Sequence, residues 1–484
     1  MINTKQIINS GFIETKDYQD ILSPETSQKI GAISLADISH VDEFFEYAHK
    51  SFSKWAEIPQ FERNEYLIKV KDEMLLQKEE LAKIISDEIG KPLKSSLDEV
   101  VRSADYIQLT IEAINNILPE SFESITKGYS KGQKIAINQI LPVGCVVCIS
   151  PFNYPINLAI TKIIPALISG NVVIFKPSSQ GALSGFALAS IFNSILPSGV
   201  LQFITGKSEV IGDALVQNEG CNFINFTGST NTGRHIASVA NDTSKIGVKG
   251  LVLEMGGKDS AIVTSNANLS LAVAEITKGA FSFNGQRCTA IKRVFVSRDI
   301  SASFIKNLKN EVTKLTIGLA IDSNFITSLI STSSAKYVED LYKDAIDSGC
   351  TNSFEFKREN NLIHPNIVIY DGKVSFLKNI RIFNEEQFGP VLPIYIYDNL
   401  DDVVNFINST EFGLQNSIFS ENINECIKTA RLLESGCVQI NGKSDRGPDN
   451  FPFSGIKNSG FGVQGVKESI LSMIRKKTIV INTQ

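Results

Sequence analysis

The chain has 484 residues, with 47 Lys and Arg against 52 Asp and Glu, for a formal charge of −5. At about 150 residues per domain the length allows roughly three domains; 43% hydrophobic and 20% charged residues exclude a disordered, collagen-like or coiled-coil chain. The acid excess argues against a nucleic-acid binder, and the four histidines, His40, His49, His235 and His364, lack any metal-ligand spacing, so no metal site is expected.

The first twenty residues contain no apolar core of a signal peptide. The most apolar stretch, Ile156 to Ile168, is interrupted by Lys162 and Pro165 and falls short of the ~20 residues of a membrane span. Seven cysteines without framework spacing suit a reducing compartment, so a cytoplasmic enzyme without membrane contact is expected.

In chain order, apolar residues at Leu67, Val70, Met74, Leu81, Ile85 and Ile89 predict one amphipathic helix from Glu62 to Ile89, stopped by Gly90 and Pro92. A second helix is predicted from Leu97 to Leu118. Phe122 to Asn138 reads as an exposed hairpin broken at Gly128 and Gly132. From Gly144 to Glu254 the runs CVVCI, NVVIF, VLQFI, NFINF and LVLE alternate with helical segments at Ile156–Ser169, Leu183–Ile195, Glu209–Gln217 and Thr230–Val239. This rhythm predicts βαβ units and a parallel sheet covered on both faces. Cys145 and Cys148 form a C-x-x-C, but on a strand residues three apart face opposite sides, so they read as core.

After Glu254 comes a second α/β stretch, with a helix from Leu269 to Phe283 and strands VFVS, NIVIY, LPIYIY and SIFS. The terminal run KTIVIN would be an exposed edge unless paired with another element or subunit. No repeat or linker separates the domains, so they must be interleaved.

No G-x-G-x-x-G opens a helix. Thr205-Gly206-Lys207-Ser208 ends like a P-loop, but Leu201 stands where its leading glycine belongs. Two strand ends remain. Lys176, before Pro177, Ser178 and Ser179, offers a cation and hydroxyls to an adenosine ribose or 2′-phosphate. With no carboxylate at 178–180, NADP is permitted, while Glu209 nearby leaves NAD open. Gly228 and Ser229, opening a helix, suit a pyrophosphate or serve as an ordinary N-cap.

Three segments set a reactive group beside glycine or proline: PFNYP (151–155), LEMGGKDS (253–260) and FNGQRCTA (283–290). Cys288 offers a thiolate favoured by the adjacent Arg287, Glu254 a carboxylate before two glycines, and Asn153 an amide fixed between prolines. Nucleophile, base and oxyanion donor suffice for covalent acyl chemistry. Each residue alone also fits a bland role: inert core thiol, surface charge, turn.

These segments, with FTGST and EEQFGPVLP (385–393), occur in the order found in the aldehyde dehydrogenase superfamily, which the chain resembles over about residues 20 to 480. The resemblance implies two interleaved parallel-sheet α/β domains, a Rossmann-like cofactor domain (1–120 and 140–253) and a catalytic domain (254–455). A small β oligomerisation arm and tail (121–139 and 456–484) would assemble a dimer or tetramer. It implies Cys288 as nucleophile, Asn153 with the Cys288 amide as oxyanion donors, and Glu254 as the base that activates the deacylating water. Lys176, Ser179, Gly228, Ser229, Glu386 and Phe388 would contact the cofactor. Within the superfamily, SPFNYPINLAITKIIPALISGNV, FNGQRCTAIKRV and NGKSDRGPDNFPFSGIKNSG resemble the NADP-dependent, non-phosphorylating glyceraldehyde-3-phosphate dehydrogenases. That likeness implies a phosphorylated aldehyde held by Arg102, Tyr154, Arg287, Thr289 and Arg446, since guanidinium forks match phosphate oxygens. The competing readings are a semialdehyde dehydrogenase for a carboxylate-bearing aldehyde, an acyltransferase using coenzyme A, and a non-catalytic role. Glu254 argues against the second, and the complete Cys288, Glu254 and Asn153 set against the third.

Overall fold

The computed structural model describes residues 1–124, 134–242 and 247–482. Its first sheet has eight strands, in the order Gly460–Phe461, Gly250–Glu254, Phe223–Thr227, Cys145–Ser150, Val172–Pro177, Leu201–Phe203, Gln6–Ile8 and Gly11–Ile13. The five middle strands are parallel, and the outer ones antiparallel. Their apolar runs are buried on both faces because helices cover both sides, the pattern expected of crossover βαβ units. The helices Asn157–Ile168, Ala182–Ile195, Ser208–Gln217 and Thr230–Val239 stand where the periodicity predicts them. Cys145 and Cys148 are buried, unpaired thiols in this core.

A second, seven-stranded sheet is parallel except for its Thr351–Asn352 edge, and contains Asn366–Tyr370, Val391–Tyr397, Arg293–Ser297, Ser260–Val263, Gln415–Phe419 and Cys437–Ile440. The third sheet is antiparallel: Ile474–Asn482 lies along Lys134–Pro142, whose other edge holds Glu120–Glu123. The tail strand is therefore paired along one edge with an element of its own chain and remains the outermost, exposed strand of this sheet. The turn expected near Gly128 and Gly132 lies outside the described residues. Among the described residues no helix is long and apolar enough to cross a membrane.

Two expectations are corrected. The helix expected over 62–89 is two helices, Gln60–Leu76 and Lys78–Ile89, divided where Gln77 leaves helical geometry (ψ 13°). Met74 and Leu81 are both buried across the break, so the apolar spacing runs through it and does not reveal it. The segment from 456 to 473 does not belong to the arm. Gly460–Phe461 extends the first sheet beside Gly250–Glu254, and the helix Val466–Ser472 packs on the helices Leu93–Ile114 and Asn157–Ile168. This return of the chain brings Gln464 to the end of the Glu254 strand.

Candidate active site

The strand Cys145–Ser150 lies in the middle of the first sheet; the chain adds two strands on one side, then reverses and adds Phe223–Thr227 and Gly250–Glu254 on the other. Such a reversal opens a crevice at the strands' carboxyl ends, where α/β proteins bind ligands. A cavity of about 350 Å³ occupies this crevice, lined among others by Asn153, Lys176, Gly228, Cys288, Glu386 and Phe388. A second cavity, of about 430 Å³, shares Lys176, Ser208 and Thr232 with it and runs between the helices Ser208–Gln217 and Thr230–Val239.

Glycine keeps the crevice open at two points. A Cβ on Gly256 would lie 2.4 Å from Glu386 Oε2, and one on Gly228 2.5 Å from the Phe226 ring. Ser229 caps its helix by accepting from the Thr232 amide. Glu386 is held by the Gly257 amide (3.0 Å) and the Lys292 ammonium (3.2 Å). Phe388, at φ 47°, meets Phe152 edge to face. Lys176 is buried, and among the described residues its ammonium donates to Ser208 Oγ alone, at 3.3 Å. Burial lowers its pKa to about 8, which the charge of Glu209 partly opposes. A buried cation facing a roomy cavity with hydroxyls, together with two glycine cradles, fits a dinucleotide phosphate. Ser179, half-buried, is not among the residues lining either cavity; Ser178 and Ser208 are. Ser208 belongs to the string set aside as a failed P-loop, and its place at a helix start was the available signal.

Glu254 ends its strand 2% exposed. Its Oε2 accepts from Arg446 Nη1 (2.8 Å), Gln464 Nε2 (3.0 Å) and Thr227 Oγ1 (3.1 Å); Oε1 accepts from Cys288 Sγ at 3.5 Å. Burial alone would raise its pKa, but the Arg446 and Lys162 cations and these hydrogen bonds outweigh it and hold the carboxyl below its usual range. Asn153 donates one amide hydrogen to Gln286 O at 2.9 Å and has a second to give.

The cysteine environment corrects one expectation. Burial and the Glu254 carboxylate push the Cys288 thiol well above its usual range, and the opposing cation is Lys292. Arg287, expected to favour the thiolate, is not among the leading influences on it; its guanidinium donates to Gly279 O, and among the described residues its Nε has no partner. Lys292 also holds the turn by donating to the Arg287 and Cys288 carbonyls. Before Cys288, Phe283 (φ 49°) and Asn284 (φ 56°) are left-handed, a cost of about 1–3 kcal/mol each. Asn284 offsets part of it through Thr327 and the Ser328 carbonyl.

The arginines expected to hold a substrate phosphate already have partners within the protein. Arg446 lies on Glu254 and donates its other nitrogen to Gln464 Oε1 (2.6 Å). Arg102 forks onto Asp449 at 3.0 and 2.9 Å and also donates to the Arg446 carbonyl. Burial pushes the Tyr154 hydroxyl up to about 12, which the charge of Arg287 partly opposes. Thr289 is buried, its carbonyl accepting from Ser444 Oγ at 2.8 Å. Gln464, Lys292 and Asp449 were missed because only chain return and turn geometry bring them here.

The aldehyde dehydrogenase family model matches residues 12–479. The chain belongs to the aldehyde dehydrogenase family. It is 42% identical over 479 residues to the NADP-dependent glyceraldehyde-3-phosphate dehydrogenase of Streptococcus equinus, covering 99% of this chain and 98% of that protein. It is 34% identical to the lactaldehyde dehydrogenase of Methanococcus aeolicus, covering 99% and 100%. The crystal structure of NADP-dependent glyceraldehyde-3-phosphate dehydrogenase from Bacillus halodurans C-125 complexed with NADP superposes with a TM-score of 0.95 at 39% identity, covering 100% of both chains.

In this aldehyde dehydrogenase the elevated Cys288 thiol makes alkylation slow and pH-dependent. Iodoacetamide should label Cys288 at a rate that climbs without a plateau up to about pH 9. Glu254→Gln should accelerate labelling at pH 8, because losing the carboxylate lowers the thiol pKa. A rate unchanged by Glu254→Gln would show that the two groups are not coupled.

Proposed function

We propose that this aldehyde dehydrogenase oxidises glyceraldehyde 3-phosphate to 3-phosphoglycerate with NADP and water, without forming an acyl phosphate. The observation that carries the chemistry is the 3.5 Å contact of Cys288 Sγ with Glu254 Oε1 beside the cavity. The substrate rests on the similarity, over nearly full length, to relatives named for it. The first sheet, with 1–120 and 140–253, is read as the cofactor domain, and 254–455 as the catalytic domain.

The thiol proton of Cys288 passes to Glu254 as sulfur bonds the aldehyde carbon and the carbonyl electron pair moves to oxygen. The free amide hydrogen of Asn153 and the Cys288 amide stabilise that oxyanion. NADP, when bound, supplies the acceptor for the hydride, and a thioester on Cys288 remains. Once Glu254 has released that proton to solvent, it takes a proton from water as the water oxygen attacks the thioester; the C–S bond breaks, the acid is released, and Glu254 returns the proton to the departing Cys288 thiolate. The net change is aldehyde, NADP and water to acid, NADPH and protons. Lys176, with Ser178, Ser179 and Ser208, would hold the adenosine ribose and 2′-phosphate, Gly228 and Ser229 the pyrophosphate, Glu386 the nicotinamide ribose, and Phe388 its flank.

Arg287, with its unpartnered Nε, together with Tyr154, Thr289, Arg102 and Arg446, would receive the substrate phosphate. A phosphate reaching Arg446 competes with Glu254 for that guanidinium, so its arrival makes Glu254 a stronger base. We place the enzyme in the cytoplasm, consistent with seven unpaired thiols. The arm sheet, with Ile479, Val480 and Ile481 40–50% exposed, is read as its homo-oligomer contact.

A panel of aldehydes with NADP or NAD, with and without inorganic phosphate and coenzyme A, tests the reading. Glyceraldehyde 3-phosphate with NADP should be preferred, with no requirement for either additive; a need for coenzyme A or phosphate would overturn hydrolytic deacylation. Glu254→Ala, if it acylates, should stop after about one NADPH per site. Arg446→Leu should raise KM for the phosphorylated aldehyde at least about tenfold more than for glyceraldehyde. With saturating glyceraldehyde, its acid limb of kcat should move to higher pH, since the cation that depresses the Glu254 pKa is gone. For the cofactor, KM for NADP should rise as pH passes about 8, where Lys176 loses its proton. Lys176→Met should abolish that rise and leave KM for NAD far less affected.

A further inference from the structure

A buried ion pair lies behind the site and outside the chemistry just described. Lys91 and Glu99 are 1% and 0% exposed at their side chains, with Lys91 Nζ 2.5 Å from Glu99 Oε2. The other oxygen of Glu99 accepts from the Ile156 and Asn157 amides, both at 3.0 Å. These amides open the helix Asn157–Ile168, whose first N–H groups have no partner within the helix. The Lys91 ammonium donates to the Asn153 carbonyl at 3.3 Å and lies over the Tyr154 ring, 3.4 Å from its centroid, and 5.2 Å from that of Phe283. One ammonium thus touches the oxyanion segment, the phosphate-facing tyrosine and the turn before the nucleophile.

The backbone around Lys91 is itself tied to that turn. Gly90 adopts φ 66° to end the helix Lys78–Ile89, and Pro92 starts the helix Leu93–Ile114. The Gly90 carbonyl accepts from Thr327 Oγ1 at 2.7 Å, and Thr327 exchanges two hydrogen bonds with the Asn284 side chain. A buried ion pair adds little net stability over apolar groups of similar volume, because desolvation offsets the attraction. What this pair supplies is a fixed anchorage: it ties the Asn153 carbonyl and the Tyr154 ring to the first turn of the helix Asn157–Ile168, with the Phe283 ring 5.2 Å from the ammonium.

We propose that Lys91 and Glu99 are positioning residues that set the Asn153 amide and Tyr154 against the Cys288 turn. The inference rests on the aldehyde dehydrogenase reading of the site. An apolar replacement would fill the space but leave the Asn153 segment free to shift, and a misplacement of 1 Å costs about 100-fold in rate. Since the donor at stake serves the oxyanion, the loss belongs to acylation and not to cofactor binding.

The test compares Lys91→Met, the charge-neutral double variant Lys91→Met/Glu99→Gln, Asn153→Ala, and Lys91→Met combined with Asn153→Ala. The readouts are the rate and amplitude of the NADPH burst, NADP affinity by equilibrium dialysis, and the melting temperature. Lys91→Met and the double variant should slow the burst on the order of 100-fold, with full amplitude and NADP affinity within about twofold of the native protein. Adding Lys91→Met to Asn153→Ala should slow the burst little further, because the two act through one donor. A native burst rate in the folded variants would overturn the inference, as would fully additive losses or a double variant that fails to fold. A native protein that oxidises no aldehyde in the panel would instead overturn the reading of the site and take this inference with it.

Discussion

A carboxylate kept ionised inside the protein next to a thiol is the constraint around which the site is arranged. Glu254 is almost wholly buried, and its charge is tolerated because Arg446, Gln464 and Thr227 surround one oxygen, with the Lys162 cation nearby and the Cys288 thiol on the other oxygen. Removing one partner of a buried ion pair costs about 3–5 kcal/mol, so Arg446 is tied to Glu254 by energy as well as by geometry, while Gln464 and Thr227 add hydrogen bonds to the charge. They come from three remote parts of the chain. The return of residues 460–464 to the first sheet is what places Gln464 within reach. Burial, and after it the same negative charge, push the Cys288 thiol up.

Charge in this protein is decided locally. The acidic total describes the outer surface, whereas the interior of the site collects Arg446, Arg287, Arg102, Lys162, Lys176, Lys91 and Lys292. Most of these are not free: Arg446 lies on Glu254, Arg102 on Asp449, Lys91 on Glu99, and Lys292 on Glu386. Pairing makes their burial tolerable, and it also makes them exchangeable partners for an arriving anion. Lys176 differs: among the described residues its ammonium meets a hydroxyl and no carboxylate at hydrogen-bond distance, and burial lowers its pKa.

The legible parts of the sequence are those with short-range causes. Strand runs rich in β-branched residues alternating with helical periodicity predict the parallel sheet, and Pro177 and Gly228 mark strand ends that line the cavity. Cys145 and Cys148 read correctly as core, because strand geometry alone separates them. Where the reading failed, adjacency in the chain stood in for adjacency in space. Arg287 precedes Cys288 yet points to Gly279, and Lys292, four residues later, reaches back because the turn curls around it. Ser208 was dismissed with a motif it does not complete, although its helix start faces Lys176. The break at Gln77 was invisible because both halves bury the same apolar face.

By itself the sequence determined the α/β class, which follows from local periodicity; it marked Cys288, Glu254 and Asn153 beside glycine and proline, and only the resemblance of their segments to a family attached the proposed roles to them. Tertiary structure alone decided which charges meet: Arg446 on Glu254, Arg102 on Asp449, and Lys91 between Glu99, Asn153 and Tyr154. The reason is physical. A side chain's partner is set by the desolvation cost of leaving it unpaired inside a folded core, and that cost exists only once segments hundreds of residues apart have closed around it.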